Sequence, residues 1–198
     1  MKNRRCFIIG LKSTTLQTKE KKFLKTYKPW GVILFSRNIQ SINQTKKLTN
    51  DIKKIFNDKK YPILVDQEGG RVNRLNNIVD TSKFSAEFFG KLYKRNIKEF
   101  KFYYKIFIKQ TSYLLDKIGA NINTVPVLDV KRKKSNNVIG DRSFSSDAKI
   151  VSKIGDYCIS QFHKNNIATV IKHIPGHGLA KTDSHKLTPI VRNKLNQL

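Results

Sequence analysis

Short apolar runs alternate along this chain with longer amphipathic segments, and that alternation restricts the folds open to it. A short run that is apolar throughout reads as a buried strand, and an amphipathic stretch between two such runs reads as a crossover helix, so the expected class is α/β with a parallel sheet. The strands are expected at Cys6 to Ile9, Gly31 to Phe35, Ile63 to Asp66, Asn121 to Pro126 and Ala168 to His173. Helices are expected at about Thr18 to Thr26, Ile42 to Phe56, Ile97 to Ile118 and Asp147 to Asn165, with Ser145 and Ser146 able to cap the last.

Polar residues gather where these strands end. Ser36-Arg37-Asn38 follows the second, Gln67-Glu68-Gly69-Gly70-Arg71 the third, Leu128-Asp129 the fourth, and a histidine-bearing loop the fifth. In barrels and in doubly wound sheets alike, ligands meet the carboxyl ends of parallel strands, so these loops are where chemistry is expected. A closed eight-stranded barrel needs about 250 residues. The 198 residues here accommodate about five strand-helix units.

Composition bounds the partners. The formal net charge is +26, from 40 Lys and Arg against 14 Asp and Glu. The lysines are spread along the chain without a recognisable nucleic-acid module, which favours a solvated basic surface over a specific nucleic-acid footprint. Cys6 and Cys158 lie far apart in apolar contexts, where buried thiols are the expectation, and no disulfide framework is implied. The run after Arg5 is too short for a signal peptide, and no stretch approaches the roughly 18 apolar residues of a membrane span. A cytoplasmic protein is expected, with no membrane partner.

Three constellations could carry chemistry. Val65-Asp66-Gln67-Glu68-Gly69-Gly70-Arg71-Val72-Asn73-Arg74 offers two carboxylates, a turn that brings backbone close to a ligand, and arginines; it reads equally as a loop closed by a Glu68 to Arg71 salt bridge. Gly140-Asp141-Arg142-Ser143-Phe144 presents a planar guanidinium suited to carbonyl, carboxylate or hydroxyl groups. The third is Lys172-His173-Ile174-Pro175-Gly176-His177-Gly178, with Asp183 and His185 downstream. His173 and His177 have the i, i+4 spacing of a zinc pair, but Pro175-Gly176 breaks the helix that would make them converge, and no metal or other cofactor is expected. Asp183 beside His185 can fix an imidazole tautomer for proton transfer, or can simply cap a helix.

Taken in order, Asp66 to Arg74, Pro126-Val127-Leu128-Asp129-Val130, Gly140 to Phe144, and Lys172 to Gly178 with Asp183-Ser184-His185 resemble the glycoside hydrolase family 3 β-N-acetylhexosaminidases of the NagZ type; Leu34 to Asn38 fits the same family. The resemblance implies a (β/α)8 TIM barrel, of which residues 1–198 would be the N-terminal barrel domain, incomplete at its C-terminus. It implies removal of terminal β-linked N-acetylglucosamine, in many bacteria from muropeptides during peptidoglycan recycling. By motif, Asp66, Arg74, Arg142, Lys172 and His173 would contact the sugar, and His185, oriented by Asp183, would be the acid/base. Ile174 stands where phenylalanine is usual and Asp141 where glutamate is common.

The family's nucleophilic aspartate would lie beyond Leu198. A continuing reading frame or a complementing C-terminal fragment would supply it; otherwise the chain would bind sugar without hydrolysing it. Nucleic-acid binding through the net charge ranks behind both.

Overall fold

The computed structural model describes residues 3–132, 137–174, 176–177, 188 and 190. Five strands form one sheet: β1 (Arg5–Gly10), β2 (Pro29–Leu34), β3 (Ile63–Val65), β4 (Ile122–Asn123) and β5 (Ala168–Thr169). All pairs are parallel, and their spatial order is their chain order. A doubly wound sheet reverses its strand order at a switch point; an unbroken sequential order is that of a barrel wall. The expected α/β class of TIM-barrel type therefore holds, with four strand-helix units and a fifth strand among the described residues.

The crossovers are α1 (Thr18–Tyr27), α2 (Ile42–Ile55), the pair α3 (Ala86–Arg95) and α4 (Ile97–Lys117), and α5 (Ala148–Lys164). Four of these match the expected spans to within two residues at each end. Ser41 caps α2 by accepting the N–H of Gln44, and Asn96 ends α3 with its own N–H while its side chain accepts from Lys98 and Glu99 at the start of α4. Asp147, rather than Ser145 or Ser146, caps α5 by accepting the N–H of Lys149. Helix α3 was not among the helices expected from the sequence; Gly90 in its interior is intrinsically unfavourable for a helix. A side chain there would collide with the Phe144 carbonyl, its Cβ lying 1.7 Å from that oxygen, so Gly90 is what lets the segment leading to α5 pack on α3.

The core fills the space between sheet and helices. Val32, Leu34, Ile63 and Val65 are fully buried against Leu24, Ile52, Leu115, Ile118, Ile154 and Phe162. Each such side chain contributes on the order of 2 kcal/mol through burial. An aromatic layer of Phe89, Phe100, Tyr104 and Phe107 joins α3 to α4, and Tyr157 joins it to α5.

Several strands end earlier than expected, for local reasons. After Leu34 the N–H of Phe35 turns to the Asn38 side chain, and after Val65 the N–H of Gln67 turns to that of Asn123. The strand expected from Asn121 to Pro126 pairs regularly only at Ile122–Asn123, since Pro126 has no N–H to donate; parallel pairing resumes at Val127 with Lys172. Two burial expectations fail. The final strand is exposed at Ala168 rather than buried, and Cys6 is exposed while Cys158 is buried. Both misplaced residues lie on strands with one neighbour in the described sheet, so half their surroundings differ from those of a central strand.

Candidate active site

The ionisable loops all reach the carboxyl end of the sheet, and a buried amide clamp holds the first of them. Gln67 lies just past β3. Its backbone N–H donates to the Asn123 side chain and its carbonyl accepts from the same amide. The Gln67 side-chain oxygen then accepts from the N–H groups of Arg74 and Leu75, while its amide nitrogen donates to Thr81 Oγ1. One glutamine thus folds the loop back on itself and returns Arg74 beside Asp66. At the tip, Gly69 and Gly70 have φ of +90° and +59°, and a Cβ on Gly69 would sit 2.3 Å from the Phe84 carbonyl oxygen, so the turn needs glycine there.

Around this frame runs an unbroken chain of polar contacts. Arg74 Nη2 donates to Asp66 Oδ2 at 3.1 Å, and Asp66 Oδ1 accepts from Thr124 Oγ1 at 2.8 Å and from Lys172 Nζ. Lys172 Nζ also lies 2.5 Å from Glu68 Oε1. Glu68 in turn holds Arg142 by two parallel bonds of 2.8 Å, from Nε and from Nη2. Such a fork is the geometry in which arginine and carboxylate match best. Burial of Asp66 pushes its carboxyl toward neutrality, but Lys172, Thr124 and Arg74 outweigh this and hold its pKa below the ordinary value. Burial likewise opposes the charge on Arg142, and Glu68, with Asp66 and Asp129, more than restores it.

Lys172 reaches this position because its segment pairs with the chain after β4. Its N–H donates to Pro126, and its carbonyl accepts from Leu128 at 2.6 Å. The Val125–Pro126 and Lys172–His173 peptides are cis. His173 follows, its Nδ1 2.6 Å from Asp129 Oδ2 and its Nε2 3.5 Å from Arg142 Nη2. Asp129 also accepts from the backbone N–H groups of His173 and His177. Burial pushes the Asp129 carboxyl up, and these donors together bring it below its ordinary value. Asp129, His173 and His177 each bring one ligand atom within 4.8 Å of the others. Both Asp129 oxygens, however, already face N–H groups, so the arrangement reads as a hydrogen-bonded hub.

Asp66, Arg74, Arg142, Lys172 and His173, the five binding residues expected from the sequence, thus meet in one cluster. Asp183 and His185 lie outside the described residues. One sequence reading is corrected: Glu68 pairs with Arg142 and Lys172, whereas Arg71 pairs with Asp141 at 2.8 Å and donates to the carbonyls of Asn137, Val138 and Ile139. Arg71 therefore clasps the turn that carries Arg142, and Asp141 serves that clasp. Ser36, Arg37 and Asn38 form a short 3-10 turn outside the cluster; Asn38 and Arg37 bind the Leu11 carbonyl, and Phe35 lies under Arg37 and Arg74. Glu68, Thr124 and Asp129 join the cluster without having been singled out as site residues. Two signals were available for Asp129, its position just after a strand and its place in the Pro126 to Val130 motif.

The pattern of the glycosyl hydrolase family 3 N terminal domain matches residues 8–198. A beta-hexosaminidase of Hydrogenovibrio crunogenus is 38% identical over 181 residues, which cover 91% of this chain and 50% of the relative. Beta-hexosaminidase A of Pseudoalteromonas piscicida is 34% identical over 191 residues, covering 93% of this chain and 31% of its own. Among solved structures, NagZ from Neisseria gonorrhoeae in complex with N-trifluoroacetyl-D-glucosamine superposes with a TM-score of 0.87 at 28% identity, covering 98% of this chain and 57% of that one. The chain spans about half the length of such relatives, or less.

Proposed function

The chain belongs to glycosyl hydrolase family 3, and on that footing we propose that it carries the sugar-binding part and the acid/base of a retaining β-N-acetylhexosaminidase. Asp66, Arg74, Arg142, Lys172 and His173 bind the terminal N-acetylglucosamine, the carboxylate accepting hydroxyl protons and the cations donating. His185, oriented by Asp183, protonates the leaving oxygen and later deprotonates water. A retaining glycosidase forms an ester on a carboxylate, and an imidazole that is neutral after giving up its proton avoids a second anion beside that ester.

The nucleophile is assigned outside the described cluster, because its carboxylates are all engaged: Asp66 by Lys172 and Arg74, Glu68 by Arg142 and Lys172, and Asp129 by His173. The physiological substrate in this reading is a peptidoglycan fragment ending in β-linked N-acetylglucosamine, handled in the cytoplasm. The polar chain from Arg74 to His173 is the observation that supports the proposal most directly. No described helix is long and apolar enough to cross a membrane.

A chromogenic N-acetylglucosaminide tests the reaction. Turnover that disappears in His185→Ala supports the acid/base role, and turnover unchanged by that substitution overturns it. The engaged carboxylates also favour a second reading, sugar binding without hydrolysis. That reading expects calorimetric binding of N-acetylglucosamine, lost in Asp66→Ala and Arg142→Ala, with no turnover by any form of the protein.

A further inference from the structure

His173 is held from two sides by groups that permit only one arrangement of its ring proton. The Asp129 side chain is completely buried and faces Nδ1 at 2.6 Å, and an ionised carboxylate has no proton to offer, so Nδ1 must carry the hydrogen. On the other side Arg142 Nη2 lies 3.5 Å from Nε2, too long for a strong bond, so that it sets the polarity of that nitrogen and leaves its lone pair open to a closer donor. A guanidinium has donors and no acceptor, so the ring nitrogen facing it must present its lone pair. The two neighbours, both carried by the β4–α5 connection, require the same tautomer.

Resting on the glycosidase reading above, we infer that Asp129 is the positioning residue of the sugar site: it locks His173 as the Nδ1–H tautomer, so that Nε2 recognises a sugar hydroxyl as a hydrogen-bond donor. The same carboxylate takes the backbone N–H of His173 at 3.3 Å and that of His177. It therefore fixes the ring's orientation as well as its proton, which is the service a buried carboxylate performs for functional histidines in general. A sugar with that hydroxyl removed or methylated loses its donor and leaves the Nε2 lone pair with only the long Arg142 contact of 3.5 Å. Such a loss discriminates far more strongly than a change of apolar contact does. Asp129 itself does not touch the sugar in this account; it acts through His173.

Two measurements on the full chain test this. Nitrogen-15 NMR of the imidazoles, with the His173 signals assigned from their absence in His173→Gln, is expected to give a pyrrole-type shift for Nδ1 and a pyridine-type shift for Nε2. In Asp129→Ala the populations should move toward the Nε2–H form. Should that variant fail to fold, Asp129→Asn, which keeps one acceptor oxygen, is expected to retain the Nδ1–H form, and to weaken sugar binding only so far as one of the two backbone N–H contacts that orient the ring is lost. An Nε2–H tautomer in the unsubstituted protein overturns the inference.

The second measurement is a calorimetric double-mutant cycle with N-acetylglucosamine. Asp129→Ala and His173→Ala are each expected to weaken binding about tenfold or more, and the double variant should be no weaker than His173→Ala alone. Multiplicative losses would show that Asp129 does not act through His173. The NMR arm uses no sugar, so absence of binding by the unsubstituted protein counts against the glycosidase reading while the tautomer is still decided.

Discussion

The Asn123 side chain accepts the backbone N–H of Gln67 at 3.0 Å and donates to its carbonyl at 2.9 Å, joining the first site loop to the end of β4. Both residues are buried. Replacing Asn123 by alanine strands a buried donor and acceptor together. We expect a loss of about 2–4 kcal/mol, at about 1–3 kcal/mol for each unsatisfied group less any relaxation. Urea unfolding measures it; a midpoint that does not move would show that the clamp holds nothing.

Arg142 is expected to resist replacement by lysine. The two parallel bonds to Glu68 need the planar fork, and a lysine ammonium supplies a single point of charge. In Arg142→Lys, Glu68 keeps a cation while the second bond and the approach to His173 are lost. Binding of N-acetylglucosamine should weaken by about tenfold, with a smaller effect on stability. Calorimetry and thermal unfolding of the same sample separate the two, and equal affinity in both proteins would exclude Arg142 from the sugar site.

What the sequence discloses here divides by range. Strand and helix positions follow from local apolar spacing, and the site's membership follows from motifs at the strand ends, so Asp66, Lys172 and Arg142 could be named before their contacts were known. Pairing is different. Glu68 and Arg142 are 74 residues apart, and Glu68 had a nearer arginine at position 71 that local reasoning could not set aside. The choice is made by the Arg71 clasp on the 137–141 turn, which is a tertiary event. Asp129 was obscure for the same reason: its meaning depends on His173, which a different strand delivers. Helix α3 escaped because Gly90 serves a neighbouring backbone carbonyl, and a single-sequence reading has no view of that neighbour.

The two thiols should differ sharply in reactivity. Cys6 is exposed on β1, while Cys158 is buried on α5 beside Tyr104, where loss of solvent raises its pKa to about 12 and the Tyr104 hydrogen bond lowers it only in part. The thiolate is the reactive species, so Cys158 is protected by both access and protonation. Brief treatment of the native protein with iodoacetamide should modify Cys6 alone, and treatment in denaturant should modify both. Peptide mass mapping reads the result, and early labelling of Cys158 would contradict its burial.

Lys172 gives the sharpest test of the site's electrostatics. The Asp66 carboxyl is buried, which raises its pKa, but Lys172 with Thr124 and Arg74 brings the folded value below the ordinary 3.8. A carboxylate depressed on folding contributes stability above its unfolded pKa, and that contribution is lost as pH falls from about 3.8 through the folded value. In Lys172→Met the largest opposing charge is removed while burial is kept, and Asp66 and Glu68 lose the cation between them. Destabilisation at neutral pH should approach about 3 kcal/mol, below the full cost of breaking a buried pair because both side chains retain some solvent contact. Asp66 should then take up its proton at a higher pH, so the variant's deficit shrinks on acidification and its stability profile is flatter below pH 5. Urea unfolding of both proteins from pH 7 to pH 3 tests this, and a deficit constant across that range would mean that Lys172 supports the fold by packing rather than by charge.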